Sequence, residues 1–210
     1  MPVIDQLASS LNSRKKTPNQ ILAKKIVSSN DTAAIIELVD HLANENKSTR
    51  ADCIKTLYEI GYKKPLLIFP FLKNILLLLD DKQNNLVWGA MIALDSIATV
   101  NLKSIYSNLS KIIDAMEKGS VVAKDHGMYI LIKLASSNKY KHDVLPLLLS
   151  EIKISAVNQL AMYAEKSLKV IDSNYKNEFI QILRFRLAEL PQETKRKRIE
   201  KVIKLAQQIK

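Results

Sequence analysis

The chain has 210 residues, of which 47% are hydrophobic and 25% are charged, and its formal net charge is +11. Four glycines and six prolines are too few for a turn-rich all-β protein. The longest apolar runs have only five residues, such as 75–79, whereas a membrane-spanning helix needs about 20. Residues 1–16 lack the long apolar core of a signal peptide, and a single cysteine excludes an internal disulfide. We therefore expect a cytoplasmic protein with no membrane contact.

The first 30 residues are predicted to form two short amphipathic helices, at residues 3–12 and 18–29. Between them, Arg14, Lys15 and Lys16 precede Pro18 in a basic segment that we expect to be a loop. These helices lack the repeated apolar columns of the rest of the chain, and atypical ends are typical of repeat proteins. The sequence therefore predicts a capping region at residues 1–30.

From residue 31 the sequence repeats itself with a period of 37 residues. Three columns keep this spacing: Leu57, Leu94, Leu131 and Leu168; Ile60, Ile97, Leu134 and Ile171; and Cys53, Ala90, Gly127 and Ala164. A period between about 20 and 50 residues is typical of solenoids, whose repeats bury their apolar faces against one another. We therefore predict an all-α fold for residues 31–210, a right-handed α-α superhelix of about five two-helix repeats. The repeats lie near residues 31–62, 63–100, 101–138, 139–173 and 174–210.

The second helix of each repeat carries the three columns. These helices are predicted near residues 48–61, 84–99, 120–136 and 155–172, because their apolar positions recur at spacings of three and four. The third column holds only small side chains, so that the two helices of a repeat can approach closely, and this accounts for Gly127 within a helix. Cys53 belongs to that column and is predicted to be a buried, unreactive thiol.

Three prolines fall within the predicted first helices of the repeats. Pro65 and Pro146 fit a first turn, where the missing N–H is harmless. Pro70 lies further in, and we predict that it kinks its helix or starts a new one after residue 69.

The fifth repeat is the most basic part of the chain. Its spacing is 38 residues, and its second helix is predicted at residues 192–209, after Pro191. Residues 1–30 carry a net charge of +4, residues 31–152 of zero and residues 153–210 of +7, counting Lys and Arg against Asp and Glu. Either the charge keeps the terminal repeats soluble, or it forms a surface for a polyanion. The candidate polyanion-binding residues are Arg14, Lys15, Lys16, Lys195, Arg196, Lys197, Arg198, Lys201 and Lys204.

A two-helix repeat of about 37 residues, with proline in the first helix and a small-x-x-x-Leu-x-x-Ile pattern in the second, resembles HEAT repeats of the armadillo-like superfamily. Residues 87–97, from Val87 to Ile97, look like the second helix of such a repeat. Arg50 matches the arginine often found near the start of that helix, whereas Val87, Lys124 and Ala161 occupy the equivalent position in later repeats. The resemblance covers about residues 31–210 and implies a protein-binding scaffold, since such repeats are rarely enzymes.

In such solenoids the second helices line the concave face. The columns turned away from the predicted core include Lys55 and Glu59 in the first repeat, and Trp88 lies one column over in the second. Aromatic residues are frequent at binding hot spots. The candidate partner-binding residues on this face are Trp88, Ile92, His126, Tyr129, Lys133, Tyr163 and Lys166.

No recognised catalytic, phosphate-binding or metal-binding motif occurs in the sequence, so we expect no cofactor, no metal site and no small-molecule substrate. The leading hypothesis is a non-enzymatic scaffold that binds a protein or peptide along the concave face. The second is a nucleic-acid-binding protein that uses its basic ends. The third is an enzyme similar to the alkylpurine DNA glycosylases built from HEAT-like repeats, for which Trp88, Asp125, Tyr129 and Tyr163 would be the nearest candidates.

Overall fold

The structure is a computed structural model that describes residues 2–210. Over this range the chain is all-α, with twelve α-helices, six short 3-10 segments and no strand. The helices are α1 Thr17–Ser29, α2 Thr32–Asp40, α3 Lys47–Lys63, α4 Leu72–Leu77, α5 Asn84–Ile97, α6 Leu102–Tyr106, α7 Leu109–Lys118, α8 Val121–Ala135, α9 Asn138–Ile154, α10 Val157–Ser167, α11 Lys176–Leu187 and α12 Glu193–Gln207. The chain forms two compact units, Met1–Gly127 and Met128–Lys210. They are called the N-terminal unit and the C-terminal unit below.

The predicted core columns are buried in the N-terminal unit. Helix α3 packs against α1 on one side and α5 on the other, so that successive second helices lie next to each other. On α3 the side chains of Cys53, Leu57 and Ile60 are completely buried, as are those of Ala90, Leu94 and Ile97 on α5. Each fully buried leucine or isoleucine contributes roughly 1.5–3 kcal/mol through the hydrophobic effect. The 37-residue period is therefore the period of the core.

In the C-terminal unit, α10 packs against α9 and α12, and α11 packs against α9 and α12. Leu131, Leu134 and Ala164 are buried as predicted. Leu168 is only half-buried, because α10 ends at Ser167 and Leu168 begins a 3-10 segment, Leu168–Val170, whose tighter turn changes the direction of the side chain. Val170 and Ile171 are buried in the same region.

Proline breaks one first helix in the way that the sequence predicts. Pro65 and Pro70 lie in two 3-10 segments, Pro65–Leu67 and Phe69–Phe71, and the α-helix starts only at Leu72. Pro146 differs from its prediction, because it lies in the interior of α9 rather than in a first turn. Both Pro146 and His142, whose carbonyl loses its helical partner, are on the exposed side of α9. The helix therefore continues past the proline.

Residues 3–12 do not form the predicted α-helix. They contain one 3-10 segment, Ile4–Gln6, followed by turns, and Asn12 has a positive φ of 51°. The backbone N–H groups of Ala8 and Ser9 donate to the side chains of Asn19 and Asp52 at 2.8 and 2.7 Å. These bonds replace the i to i−4 bonds that an α-helix would require.

Gly127 permits a close approach between α7 and α8. A Cβ atom at this position would lie 2.5 Å from Cγ of the buried Met116 and closer still to its Sδ. We expect Gly127→Ala to lower the free energy of unfolding by about 1–2 kcal/mol, because overpacking outweighs the gain of about 1 kcal/mol in helix propensity. Urea denaturation measures this change. In a Met116→Ala background, which removes the overlapping atoms, the same substitution should no longer destabilise, and an equal loss there would contradict this explanation.

Candidate functional site

Three aromatic rings cluster on the second helices of the N-terminal unit. Tyr58 and Tyr62 lie four residues apart on α3, and Trp88 lies on α5. The ring centroids of Tyr58 and Tyr62 are 5.9 Å apart in an edge-on arrangement, and those of Tyr58 and Trp88 are 6.1 Å apart. Tyr58 is buried, Trp88 is half-buried and Tyr62 is 55% exposed. This aromatic cluster therefore presents ring surface to solvent on a rigid, packed base.

Glu59 is held ionised beside the aromatic cluster. Its Oε1 accepts hydrogen bonds from Lys55 Nζ at 2.7 Å and from Gln20 Nε2 at 3.1 Å. Burial raises the pKa of Glu59, but the bonds from Lys55 and Gln20 outweigh it and leave the pKa below its usual value. Lys55 Nζ also lies 4.6 Å from the centre of the Tyr58 ring, which is a cation–π contact within the chain itself.

A second carboxylate, Asp95, lies on α5 and is paired with His126. The distance from His126 Nδ1 to Asp95 Oδ2 is 2.8 Å, and both side chains are almost buried. Burial raises the pKa of Tyr62 to about 12, with further contributions from Tyr58, Asp95 and Glu59 that Lys55 partly opposes. Tyr62 is therefore a neutral hydroxyl within the electrostatic reach of two carboxylates. Exposed rings beside carboxylates suit a cationic side chain.

The structure buries two residues that the sequence analysis expected on the exposed face. Ile92 is 5% exposed and Tyr163 is 3% exposed. The physical reason is clearest on α5, where every residue from Gly89 to Ile97 is buried. A helix that is flanked by neighbours buries a wider arc than one stripe. Ile92 and Tyr163 therefore contribute to packing rather than to an accessible surface.

The other expected residues remain accessible to different degrees. In the N-terminal unit, Trp88 and His126 are half-buried. In the C-terminal unit, Lys166 Nζ lies 4.6 Å over the Tyr129 ring, whose hydroxyl donates to Met162 Sδ at 3.3 Å, and Lys133 is partly exposed. Sequence reasoning missed Tyr58 and Tyr62, although their spacing of four residues beside Lys55 and Glu59 was a usable signal.

The basic ends divide into paired and unpaired side chains. Lys16 Nζ donates to the buried Asp52 at 2.6 Å, whereas Arg14 and Lys15 are exposed in the loop before α1. On α12, Arg198 makes two bonds to Glu165, at 2.7 and 2.6 Å. Lys195 donates to Asn158 and Lys197 pairs with Glu193, each at 2.7 Å. Arg196, Lys201 and Lys204 are the exposed cations of α12 that form none of these bonds.

The described residues form neither a metal site nor a reactive thiol. Within residues 2–210 no three His, Cys, Asp or Glu side chains are grouped to hold a metal ion. Burial raises the pKa of the Cys53 thiol to about 12, with smaller contributions from Asp52 and Glu37, so the thiolate is not formed near neutral pH. None of the helices described here combines the length and apolarity that a bilayer span requires.

Comparison with known proteins gives matches at the level of structure alone. No protein-family profile matches the sequence, and no curated protein matches it significantly. A designed armadillo repeat protein in complex with peptide (KR)4 is similar over 97% of this chain and 98% of its own, with 15% identity and a TM-score of 0.68. A computationally designed armadillo repeat protein for modular peptide recognition covers 97% and 98%, with 14% identity and a TM-score of 0.66.

An engineered protein is similar over 98% of this chain and 99% of its own length, with 17% identity and a TM-score of 0.64. All three similarities span nearly the whole of both chains, and at such low identity they show the fold alone. They agree with the buried columns and with the neighbouring second helices of each unit. The chain therefore has the armadillo-like repeat fold, the all-α superhelix of stacked helical repeats that its 37-residue period predicts.

Proposed function

We propose that this protein is a non-enzymatic scaffold that binds a protein or peptide segment rich in Lys and Arg. The binding surface is the α3–α5 face of the N-terminal unit, the surface formed by Glu59 and Tyr62 of α3 and Trp88 of α5. The observation that carries this proposal is the partly exposed aromatic cluster beside the carboxylates of Glu59 and Asp95. Repeat proteins of this fold use extended surfaces to bind their partners.

The chemistry of the face fits a cationic side chain better than an anionic or apolar one. A Lys or Arg side chain over an aromatic ring gains about 0.5–2 kcal/mol, depending on how far it is desolvated. Lys55 over Tyr58 already shows this contact within the chain, whereas Tyr62 keeps 55% of its surface exposed for a partner. A guanidinium at Tyr62 would also feel the negative charge of Glu59 and Asp95, which the positive charge of Lys55 partly offsets.

The comparison supports the same kind of partner. One designed armadillo repeat protein of this fold was solved with a (KR)4 peptide, and another was designed for modular peptide recognition. The corresponding face of the C-terminal unit suits such a peptide less well, because Lys166 covers the Tyr129 ring and Lys133 adds positive charge. We therefore assign the basic peptide to the N-terminal unit.

The glycosylase-like alternative is not supported by its aromatic residues. Tyr163, one of the four candidates for an open cleft, is 3% exposed. The hydroxyl of Tyr129 is directed to Met162, and its ring is covered by Lys166. A base-binding cleft needs accessible rings on which a base can stack. The scaffold hypothesis does not require a cleft with accessible rings at Tyr129 and Tyr163.

Replacing Tyr62 by alanine should weaken the binding of a fluorescein-labelled (KR)4 peptide about tenfold, which corresponds to about 1.4 kcal/mol. Tyr62 is exposed, so the melting temperature should change little. Fluorescence anisotropy measures the Kd of the peptide, and circular dichroism measures the melting temperature.

Phe185→Ala is the matched control, because Phe185 is an exposed aromatic residue on α11 of the C-terminal unit, with 74% of its surface accessible. It should leave the Kd unchanged. A labelled (DE)4 peptide serves as the control for charge and should not bind to the α3–α5 face. The proposal fails if the two alanine variants bind (KR)4 equally well, or if (DE)4 binds wild-type protein as tightly as (KR)4.

A further inference from the structure

One face of α12, in the C-terminal unit, is lined with lysines. Lys197, Lys201 and Lys204 are separated by four and three residues, so they share one side of the helix. The buried residues of α12, Ile199, Val202, Ile203 and Ala206, lie on the opposite side. The lysine face is therefore directed away from the core, and all three lysines are exposed.

Two carboxylates next to this face, Glu165 and Glu193, are paired with cations of α12. Arg198 makes two bonds to Glu165 of the neighbouring α10, and this pairing, partly opposed by burial, keeps the pKa of Glu165 below its usual value. Lys197 pairs with Glu193 within α12. Glu200 lies four residues before Lys204 on the same side of α12, so its carboxylate offsets part of the charge of Lys204. The positive charge of Lys201 also lowers the pKa of Glu165, but neither Lys201 nor Lys204 forms a direct ion pair with a carboxylate of the C-terminal unit.

Helix α10 extends the positive surface. Lys166 is exposed near its C-terminal end, and Lys169 is exposed in the 3-10 segment that follows. Because α10 and α12 pack against each other, Lys166 lies on the helix next to that of Lys201 and Lys204, and Lys169 lies just beyond its end. The basic face, defined by Lys166, Lys169, Lys201 and Lys204, has four cations that no carboxylate of the C-terminal unit pairs with at ion-pair distance.

We propose that this basic face binds the phosphate backbone of nucleic acid. Lys166 and Lys204 lie in the last turns of their helices, where they also complement the partial negative charge of the C-terminus. That effect does not account for Lys201, which lies earlier in α12. A row of cations on neighbouring helices matches a chain of phosphates, whose contacts are electrostatic and independent of sequence.

An acidic protein is a weaker fit to the same face. Protein interfaces depend on apolar and aromatic residues in a buried centre. The outward stripe of α12 contains only charged and polar side chains, namely Glu193, Lys197, Glu200, Lys201, Lys204 and Gln208, and the Tyr129 ring on α8 is covered by Lys166. The outward side of α12 therefore presents charged side chains but no apolar anchor for a protein interface.

The test is fluorescence anisotropy of a labelled 20-nucleotide DNA, single-stranded and duplex, with the full chain at 50 and 200 mM salt. Four phosphate contacts predict that duplex affinity falls by roughly 100-fold between the two salt concentrations. The variant Lys166→Ala/Lys201→Ala/Lys204→Ala should lose most of this binding, and its slope of log affinity against log salt should be shallower by about 2.7.

The matched control is Lys24→Ala/Lys73→Ala/Lys103→Ala, which removes three exposed lysines of the N-terminal unit and leaves the same net charge. It should retain DNA binding. A triple Lys→Arg variant at positions 166, 201 and 204 should also bind, which excludes a loss caused by misfolding. Equal weakening in the two alanine variants would overturn the proposal, as would displacement of the DNA by a decaglutamate peptide at matched charge concentration. Binding of (KR)4 by the basic-face variant should be unchanged, which separates this proposal from the peptide site.

Discussion

Asp52→Ala is expected to lower the free energy of unfolding by about 2–4 kcal/mol, because it leaves buried hydrogen-bond donors without an acceptor. The Asp52 side chain is completely buried on α3. It accepts hydrogen bonds from the Ser9 N–H at 2.7 Å, Asn19 Nδ2 at 2.8 Å and Lys16 Nζ at 2.6 Å. Lys16 is half-exposed, so most of the cost comes from Ser9 and Asn19. Urea denaturation followed by circular dichroism measures this loss.

Asp40→Ala is the control, since it removes an exposed carboxylate of α2 and should change stability by less than about 0.5 kcal/mol. Equal stabilities of the two variants would contradict a structural role for Asp52. The substitution Asp52→Ala should also release the N-terminal segment, because Asn19, which donates to Asp52, accepts the Ala8 N–H at 2.8 Å. Faster amide hydrogen exchange at residues 8 and 9 is the expected signature.

The Asp52 carboxylate also makes stability depend on pH in a predictable direction. Burial raises its pKa, but the hydrogen bonds from Lys16, Asn19 and Ser9 outweigh it, so the pKa lies below its ordinary value of 3.8. A carboxyl whose pKa is lowered by folding contributes fully above the unfolded value, and its contribution is lost as the pH falls through the folded value. Wild-type protein should therefore lose stability below about pH 4 more steeply than Asp52→Asn. Parallel pH profiles would contradict this assignment.

Arg186→Met is expected to destabilise the C-terminal unit by about 3 kcal/mol, because Arg186 is a buried cap for the end of α9. Its side chain is on α11, and the residue is only 5% exposed. Its guanidinium donates to the carbonyl oxygens of Ile152 at 3.1 Å, Lys153 at 2.8 Å and Ser155 at 2.8 Å. Methionine keeps most of the volume but none of the donors. Thermal unfolding followed by circular dichroism measures the change.

Arg184→Met is the matched control, because Arg184 lies two residues away on the exposed side of the same helix. It should change stability by less than about 0.5 kcal/mol. Arg186→Lys should recover only part of the loss, since an ammonium cannot reproduce the planar fork that reaches three carbonyls. If lysine restores full stability, the cap depends on charge alone and not on the guanidinium geometry.

The repeat pattern was sufficient to predict the core but not the accessible surface. Leu57, Leu94 and Leu131 share one column because stacked repeats bury equivalent positions, so a period in the sequence reports a period in packing. The same logic placed Ile92 and Tyr163 on an exposed face. Their burial depends on how closely neighbouring second helices approach, which the columns of a single repeat do not encode.

Polar residues in the core columns of the repeat carried information that the sequence analysis did not use. With the 38-residue spacing of the last repeat, Arg186 occupies the column of the fully buried Leu148. A charged residue in a core column predicts a buried polar partner, and here the partner is the end of α9. The aromatic cluster could be anticipated only in part, because Trp88 is conspicuous in the sequence whereas Tyr58 and Tyr62 gain significance from packing against it.

The intrinsic fluorescence of Trp88 reports whether a basic peptide binds at the aromatic cluster, because Trp88 is the only tryptophan of the chain and belongs to that cluster. Unlabelled (KR)4 peptide is titrated into the wild-type protein and the emission of Trp88 is followed. We expect a saturable change in intensity or wavelength with the Kd that anisotropy gives, and a weaker Kd for Tyr62→Ala. A peptide that binds by anisotropy while the emission of Trp88 stays constant would place the site elsewhere and contradict binding at the aromatic cluster.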